Sequence, residues 1–234
     1  MESLTARAVT IRFVTALILA TGTLSFPSAL TAEQQFDYVT GEFWAELEPM
    51  IPQGGDYPLS QDDAIRTVLE EARYVFSGMI YGFRYRYTPS DRARQVNEVF
   101  ELKPVAQIAE GDPRLRVMST RREEKRIWIR FRYMLDSAQA SWLSAWQSNT
   151  ISTASGAGEK ELWEGPPNKI LAIEAAVKQA IRDYLRTQTR NKPRESTGKV
   201  LLDDVPRIIM DSGAYHATVT VKVRVDRIVP YQVF

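Results

Sequence analysis

Apolar residues recur at intervals of three and four positions in two long segments of the chain. In the first segment, which begins at Ser60, the apolar positions are Ile65, Val68, Leu69, Ala72, Phe76 and Met79. In the second, which follows Pro166 and Pro167, they are Ile170, Ile173, Val177, Ala180, Ile181, Tyr184 and Leu185. This spacing places apolar side chains on one side of a helix, so each segment predicts an amphipathic helix. Ser60 and Asp63 form a Ser-x-x-acid capping pattern at the start of the first helix.

Apolar and polar residues alternate in two other segments. Aromatic residues at positions 81, 83, 85 and 87 alternate with residues that include Arg84 and Arg86. Valines at positions 219, 221, 223 and 225 alternate with residues that include Lys222 and Arg224. A period of two predicts strands with one apolar face and one polar face, which is typical of an antiparallel sheet. Asp211-Ser212-Gly213 predicts a tight hairpin before the last strand.

The helical and alternating patterns recur in the same order. Residues 64–72 align with residues 172–180, and residues 127–133 align with residues 219–225. The recurrence predicts an internal duplication and an α+β fold. In this prediction two α-β-β-β repeats form an antiparallel sheet or sheets, with long amphipathic helices packed on one face.

The duplication also predicts the domain organisation. The first α-β-β-β unit covers residues 60–135 and the second covers residues 166–234. A capped apolar segment near residues 88–102 has no counterpart in the second unit and predicts a helical insert. Residues 136–165 predict a connecting helix and a loop of small residues.

The N-terminus has the pattern of an export signal. Arg7 and Arg12 precede a short apolar run, and small residues follow it. The run is far shorter than the roughly 20 residues that a membrane span needs. We therefore predict a signal peptide at residues 1–32 and no transmembrane segment after its removal. Residues 33–59 contain turn residues and aromatic residues, and they predict an N-terminal arm that packs on the domain or on a partner.

Cysteine content and charge narrow the class of protein. The chain has no cysteine, which excludes disulfides and a lipid-modified cysteine after the signal. An exported chain without cysteine indicates a bacterial periplasm. The 30 basic and 29 acidic residues nearly balance, so we predict no nucleic-acid partner. A charge near zero also permits assembly with partners or with copies of the chain.

Catalytic and metal-binding patterns are sparse. A single histidine and no cysteine argue against zinc and iron sites, and the sequence predicts no cofactor. His216 lies on the polar side of the last strand, without a nucleophile motif elsewhere. Adjacent carboxylates do not share a face of a helix or strand, so such pairs predict solvated surfaces. These pairs are Asp62-Asp63, Glu70-Glu71, Glu123-Glu124 and Asp203-Asp204. We therefore predict no catalytic residues.

Cationic and aromatic residues share the polar side of several predicted strands. This candidate interface comprises Arg84, Arg86, Trp128, Arg130, Arg132, Lys222 and Arg224. Arginine and tryptophan are enriched at interface hot spots. The alternative is an ordinary solvated face paired with local acids. Three further tryptophans are candidates either for the core or for a sugar-binding platform, namely Trp142, Trp146 and Trp163.

Four short runs carry a resemblance to a known family. They are EARYVFSGMIYGF at 71–83, YTPSD at 87–91, LKPV at 102–105 and NKPRE at 191–195. In these runs the chain resembles exported spirochaete proteins of the periplasmic flagellum, in particular the filament outer-layer (sheath) proteins. The resemblance implies a non-enzymatic periplasmic protein that coats or stiffens the flagellar filament and contributes to motility. It also implies other filament or sheath proteins, or further copies of the chain, as partners.

Two alternative functions remain open from the residues. A periplasmic binding module for a peptide, glycan or envelope component predicts a concave aromatic pocket around the three tryptophans. A carboxylate-dependent hydrolase predicts two acids that face one another across a cleft.

Overall fold

A computed structural model describes residues 37–48, 59–164 and 167–231, all within a unit that spans residues 33–234. The predicted signal peptide lies outside the described residues. The described residues form nine strands: β1 (Tyr38–Glu46), β2 (Phe83–Thr88), β3 (Val99–Pro104), β4 (Leu115–Glu123), β5 (Arg126–Met134), β6 (Ser152–Glu161), β7 (Glu195–Leu202), β8 (Arg207–Asp211) and β9 (Ala214–Val229). They also form three α-helices: α1 (Gln61–Ile80), α2 (Ser137–Trp146) and α3 (Pro167–Gln188).

The strands form two antiparallel sheets. The smaller sheet has the order β1-β5-β4, and the larger sheet has the order β3-β2-β7-β9-β6, with β8 also paired to β9. In β2 the side chains of Phe83, Tyr85 and Tyr87 are buried, while those of Arg84 and Arg86 are exposed. The predicted alternation of this strand is therefore confirmed, and its basic side faces away from the core.

The predicted fold class is wrong. Strands make up 44% of the described structure and helices 30%, so the protein is mostly β-sheet rather than an α+β arrangement of long helices on one face of a sheet. The two α-β-β-β repeats do not form either, because β2 and β3 join the larger sheet while β4 and β5 pair with β1. Periodicity identifies the apolar side of each strand, but it does not determine which strands pair.

Two strands occupy segments that the sequence predicted to be an arm and a loop. β1 lies within the predicted arm and pairs along its length with β5. β6 replaces the predicted loop of small residues and pairs with β9. A Cβ atom on Gly156 would lie 2.3 Å from the carbonyl oxygen of Ala176 in α3. The small residues of β6 therefore allow the helix backbone to lie close to the sheet.

The predicted helical insert near residues 88–102 is also wrong. This segment contains a turn closed by a bridge between Asp91 and Val96, followed by β3. The Asp91 carboxylate accepts a hydrogen bond from the backbone N–H of Arg94 at 3.2 Å, and Gln95 has a φ of 56°. A Pro-Ser-Asp sequence can start either a helix or a turn, and here the Asp91 side chain closes a turn.

The predicted cap at Ser60 and the predicted turn before β9 are confirmed. The Ser60 hydroxyl accepts a hydrogen bond from the N–H of Asp63 at 3.1 Å, at the start of α1. The hairpin between β8 and β9 has positive φ values at Ser212 and Gly213, as a tight turn with primed geometry requires. These motifs depend on neighbouring residues alone, which is why the sequence is sufficient to predict them.

Both sheets contribute to the hydrophobic core. Phe131 of β5 and Phe43 of β1 come from the smaller sheet, and Val221 of β9 comes from the larger one. Phe76 of α1 packs edge-on against Phe43, with ring centroids 5.5 Å apart. Among the described residues, no helix combines the length and apolar character that crossing a bilayer requires.

Candidate interaction surface

The structure divides the predicted interface between the two sheets. Arg84 and Arg86 of β2 share the larger sheet with Lys222 and Arg224 of β9. Three other members lie on β5 of the smaller sheet, namely Trp128, Arg130 and Arg132. The seven residues therefore form two separate groups, and each has its own surroundings.

The larger sheet carries a row of cations that crosses four adjacent strands. Arg84 lies opposite Lys103 of β3 on one side and opposite Lys199 of β7 on the other. Lys199 in turn lies opposite Arg224 of β9. Residues directly opposite one another in a sheet project from the same face. We call Lys103, Arg84, Lys199 and Arg224 the cationic row; with strands about 4.8 Å apart, it is about 14 Å long.

Acidic residues neutralise only the two ends of the cationic row. Lys103 lies 3.5 Å from Glu101, and Arg224 lies 3.6 Å from Asp226. Within the described part of the chain, Arg84 and Lys199 form no ion pair. Like charges placed directly opposite one another destabilise a sheet, so the centre of the row has an electrostatic cost that no acidic residue in the described part of the chain offsets.

Two tryptophans of α2 lie beside the cationic row. The Lys199 ammonium is 5.9 Å from the ring centroid of Trp142, and the Arg224 guanidinium is 5.7 Å from that of Trp146. Trp146 is buried, whereas Trp142 remains 39% exposed. Trp142 therefore adds an exposed apolar surface next to an unneutralised cation. Trp163 is also exposed, but it lies in a short 3-10 helix after β6 and not on α2.

Several cations of the smaller sheet have local partners. The Glu42 carboxylate lies 3.2 Å from the Arg121 guanidinium and 3.6 Å from that of Arg130. Arg121 also stacks over Trp128, at 5.1 Å from the ring centroid. Arg132 stacks over Tyr38 at 4.4 Å. The interpretation of a solvated face paired with local acids fits Arg121 and Arg130. Arg132, in contrast, lies opposite Arg116 of β4, and neither of these two forms an ion pair within the described residues.

A hydrogen-bonded network stabilises the end of the smaller sheet. The Arg114 guanidinium donates hydrogen bonds to Asp112 and to Asp136, each at 2.9 Å. Tyr133 of β5 donates its hydroxyl hydrogen to Asp112 at 3.1 Å. Chiefly through the bonds from Arg114, this network lowers the pKa of Asp112 to about 2. The folded state therefore holds this carboxylate in its charged form.

One acid predicted to be solvated is buried in the core. Glu71 of α1 forms an ion pair with Lys169 of α3 at 3.1 Å, and the two side chains are 7% and 3% exposed. The Lys169 ammonium donates to the carbonyl oxygen of Trp44 in β1 and lies 3.5 Å from the Trp44 ring centroid. Burial raises the pKa of Glu71 and lowers that of Lys169. The carboxylate thus faces a lysine inside the core, whereas the hydrolase hypothesis predicts a second acid across a cleft.

His216 has surface contacts. Its Nδ1 lies 3.5 Å from the Glu159 carboxylate, and its Nε2 lies 3.2 Å from the carbonyl oxygen of Asp211. Across residues 37–48, 59–164 and 167–231, no group of three or more acidic, histidine or cysteine side chains is arranged to hold a metal ion.

Two members of the cationic row were not among the predicted interface residues. Lys103 and Lys199 join Arg84 and Arg224 only through the pairing of β3, β2, β7 and β9. That pairing connects residues far apart in the chain. Alternation indicated the polar side of each strand, but the sequence contained no information on which cations would face one another.

A protein-family model matches residues 25–231, and the chain belongs to that family. An uncharacterized protein of Treponema pallidum (strain Nichols) is 29% identical over 194 residues, which cover 82% of this chain and 81% of the relative. The relative places the family in a spirochaete. No solved structure matches the chain.

Proposed function

We propose that this chain is a non-enzymatic exported structural protein that binds the periplasmic flagellar filament as part of its outer layer and contributes to motility. The observation that carries the proposal is the cationic row, in which Arg84 and Lys199 lie opposite one another without acidic partners among the described residues. An extended, unneutralised face on a sheet suits a macromolecular surface better than a small substrate, which binds in a concave pocket.

The sequence resemblance and the organism of a relative support the choice of partner. The resemblance in residues 71–83, 87–91, 102–105 and 191–195 points to proteins of the periplasmic flagellum, and a relative comes from a spirochaete. The export pattern at residues 1–32 is consistent with a periplasmic location. Charges left without partners in the free protein gain most when a complementary surface supplies opposite charges.

Co-sedimentation with filaments tests the proposal. The mature protein, without residues 1–32, is mixed with purified periplasmic filaments from its native cells and centrifuged. We expect the protein to pellet with filaments and to remain soluble without them. Protein that stays in the supernatant at every filament concentration would contradict the proposed function.

One observation favours a periplasmic binding module as a second candidate. Trp142 is 39% exposed and lies beside Lys199, so an aromatic ring and a cation are available together. This candidate predicts a change in tryptophan fluorescence with a soluble envelope component and no binding to filaments. A Trp142→Ala variant that retains the fluorescence change would exclude this site for such a ligand.

A further inference from the structure

We infer that the cationic row binds an acidic α-helix of a protein partner, which lies across the strands and presents one carboxylate to each cation. The inference rests on the proposed function, because it specifies the chemistry of the partner that the proposed function requires. It concerns Lys103, Arg84, Lys199 and Arg224, which occupy four adjacent strands of the larger sheet.

The spacing of the row matches the spacing of side chains along a helix. Adjacent strands are about 4.8 Å apart, so the four cations are spaced at that interval over about 14 Å. Helical residues three or four positions apart have Cβ atoms about 5–6 Å apart. Acidic residues at positions i, i+4, i+7 and i+11 of a helix extend over about 16 Å at 1.5 Å per residue.

An extended peptide matches the row less well. Side chains on one face of a strand repeat every second residue, or about 6.7 Å. Four such side chains extend over about 20 Å, which exceeds the length of the row by about 6 Å. The outer carboxylates of an extended peptide would therefore fall beyond Lys103 or Arg224, while those of a helix stay within the reach of flexible cationic side chains.

The charge distribution concentrates the attraction at the centre of the row. Glu101 and Asp226 lie near its two ends, at 3.5 Å from Lys103 and 3.6 Å from Arg224. Arg84 and Lys199 have no acid within ion-pair distance in the described residues. A carboxylate bound there would meet two adjacent cations, and Arg84 can hold it with two parallel hydrogen bonds.

An aromatic side chain provides the apolar part of the site. Trp142 lies on α2 beside Lys199 and exposes 39% of its surface. A helix with acids along one stripe can place apolar residues beside that stripe and in contact with Trp142. The buried ring of Trp146 beside Arg224 limits the freedom of the guanidinium before the partner binds.

Total charge argues against a membrane as the occupant. The whole chain has a net charge of only +1, so it has no general attraction to an anionic lipid surface. The row is a local feature and calls for a ligand whose charges are arranged to match it.

Two synthetic peptides of identical composition and about 18 residues provide the probe, since shorter helices are marginal in water. One carries glutamates at i, i+4, i+7 and i+11, and the other carries them at alternate positions. Their affinities for the mature protein are measured by fluorescence anisotropy at low salt. We expect the first peptide to bind about tenfold more tightly, with a change in tryptophan emission that Trp142→Phe removes.

Paired charge reversals test the location of the site. Arg84→Glu/Lys199→Glu should abolish binding of the helical peptide. Arg116→Glu/Arg122→Glu, on exposed positions of β4 in the smaller sheet, carries the same change in net charge and should leave binding intact. Binding that survives the first pair, or equal affinities for the two peptides, would overturn the inference.

Other polyanions are included as competitors. Heparin and vesicles of phosphatidylglycerol are tested at matched charge concentration, and tighter binding of either than of the helical peptide would overturn the choice of occupant. The filament assay separates the two proposals. Peptide binding without filament binding contradicts the proposed function, whereas filament binding that persists in Arg84→Glu/Lys199→Glu contradicts only the inference.

Discussion

The two sheets present the same types of side chain on their outer faces but arrange them differently. On the smaller sheet, Glu42 of β1 lies opposite Arg130 of β5, so an acid faces a base there, although Arg132 faces Arg116 of β4. In the cationic row of the larger sheet, Lys199 lies between Arg84 and Arg224, so bases face bases, whereas Arg86 in the same sheet faces Glu101. Composition is thus a poor guide to function at these faces, and the register of the strands decides whether an arginine stabilises the fold or remains available to a partner.

The largest expected effect on stability comes from the buried ion pair between Glu71 and Lys169, which lies in the core beneath both sheets. Lys169→Ala leaves the Glu71 carboxylate buried without its partner, so we expect unfolding free energy to fall by about 3–5 kcal/mol. Because Trp44, Glu71 and Lys169 connect β1 with α1 and α3, the loss should appear in one cooperative transition. Urea denaturation followed by circular dichroism measures it.

A paired substitution is the control for that experiment. Glu71→Gln/Lys169→Met removes both charges, and an apolar replacement of a buried ion pair is often close to neutral. We expect most of the lost stability to return. Two separate unfolding transitions in Lys169→Ala, or a loss below about 1 kcal/mol, would contradict a common core under the two faces.

Acid should destabilise the smaller sheet through Asp112. The pKa of Asp112 is about 2 in the folded protein, below its value in an unfolded chain, so the stabilisation is present above about pH 4 and is lost as the pH falls towards 2. Solvent screening limits the effect to about 1 kcal/mol. Asp112→Asn should be less stable at neutral pH and should lose this part of the pH dependence. If the unmodified protein and Asp112→Asn lost the same stability between pH 4 and pH 2, the proposed role of the Asp112 network would be contradicted.

Removing the central acid of the smaller sheet should have a smaller effect. Glu42→Gln takes away the charge that Arg121 and Arg130 share, and we expect a loss of about 0.5–1 kcal/mol. Asp226→Asn, at one end of the cationic row, is the matched change on the larger sheet and should cost less. If Glu42→Gln and Asp226→Asn lost equal unfolding free energy in chemical denaturation, the contrast between the two faces would be contradicted.

The smallest expected effect is a gain. Arg84→Thr relieves repulsion from Lys103 and Lys199 and places a good strand former on β2, so stability should rise by about 0.2–0.5 kcal/mol. Arg130→Thr is the control and should lower stability instead, since Arg130 faces Glu42. A loss of stability in Arg84→Thr would mean that the centre of the row carries no electrostatic cost.

Several local features of the fold could be predicted from the sequence, although the capping pattern at residues 88–91 predicted a helix where a turn forms, and long-range features could not be predicted. The cap at Ser60, the turn before β9 and the alternation of β2 depend on neighbouring residues, and all three are confirmed. The strand β6 escaped prediction because its small residues resemble a loop until α3 is packed against them. The division of β2 and β5 between two sheets also depends on contacts between distant segments.

The candidate interaction surface shows the same limit. Arg84 and Arg224 were predicted from alternation, but Lys103 and Lys199 became visible only through strand register. The predicted pair Trp128 and Arg130 belongs to the other sheet, where Arg121 and Glu42 contact them. A double variant Trp128→Ala/Arg130→Ala should therefore lower stability and leave partner binding intact.

Filament binding by two charge-reversed proteins tests most directly whether the cationic row binds the partner. Arg84→Glu/Lys199→Glu changes the larger sheet, and Arg116→Glu/Arg122→Glu makes the same change in net charge on the smaller sheet. Sedimentation is measured across filament concentrations after circular dichroism has established that both variants are folded. We predict that the first variant stays in the supernatant while the second pellets like the unmodified protein. Equal sedimentation of the two variants would contradict the claim that the cationic row is the face that binds the partner.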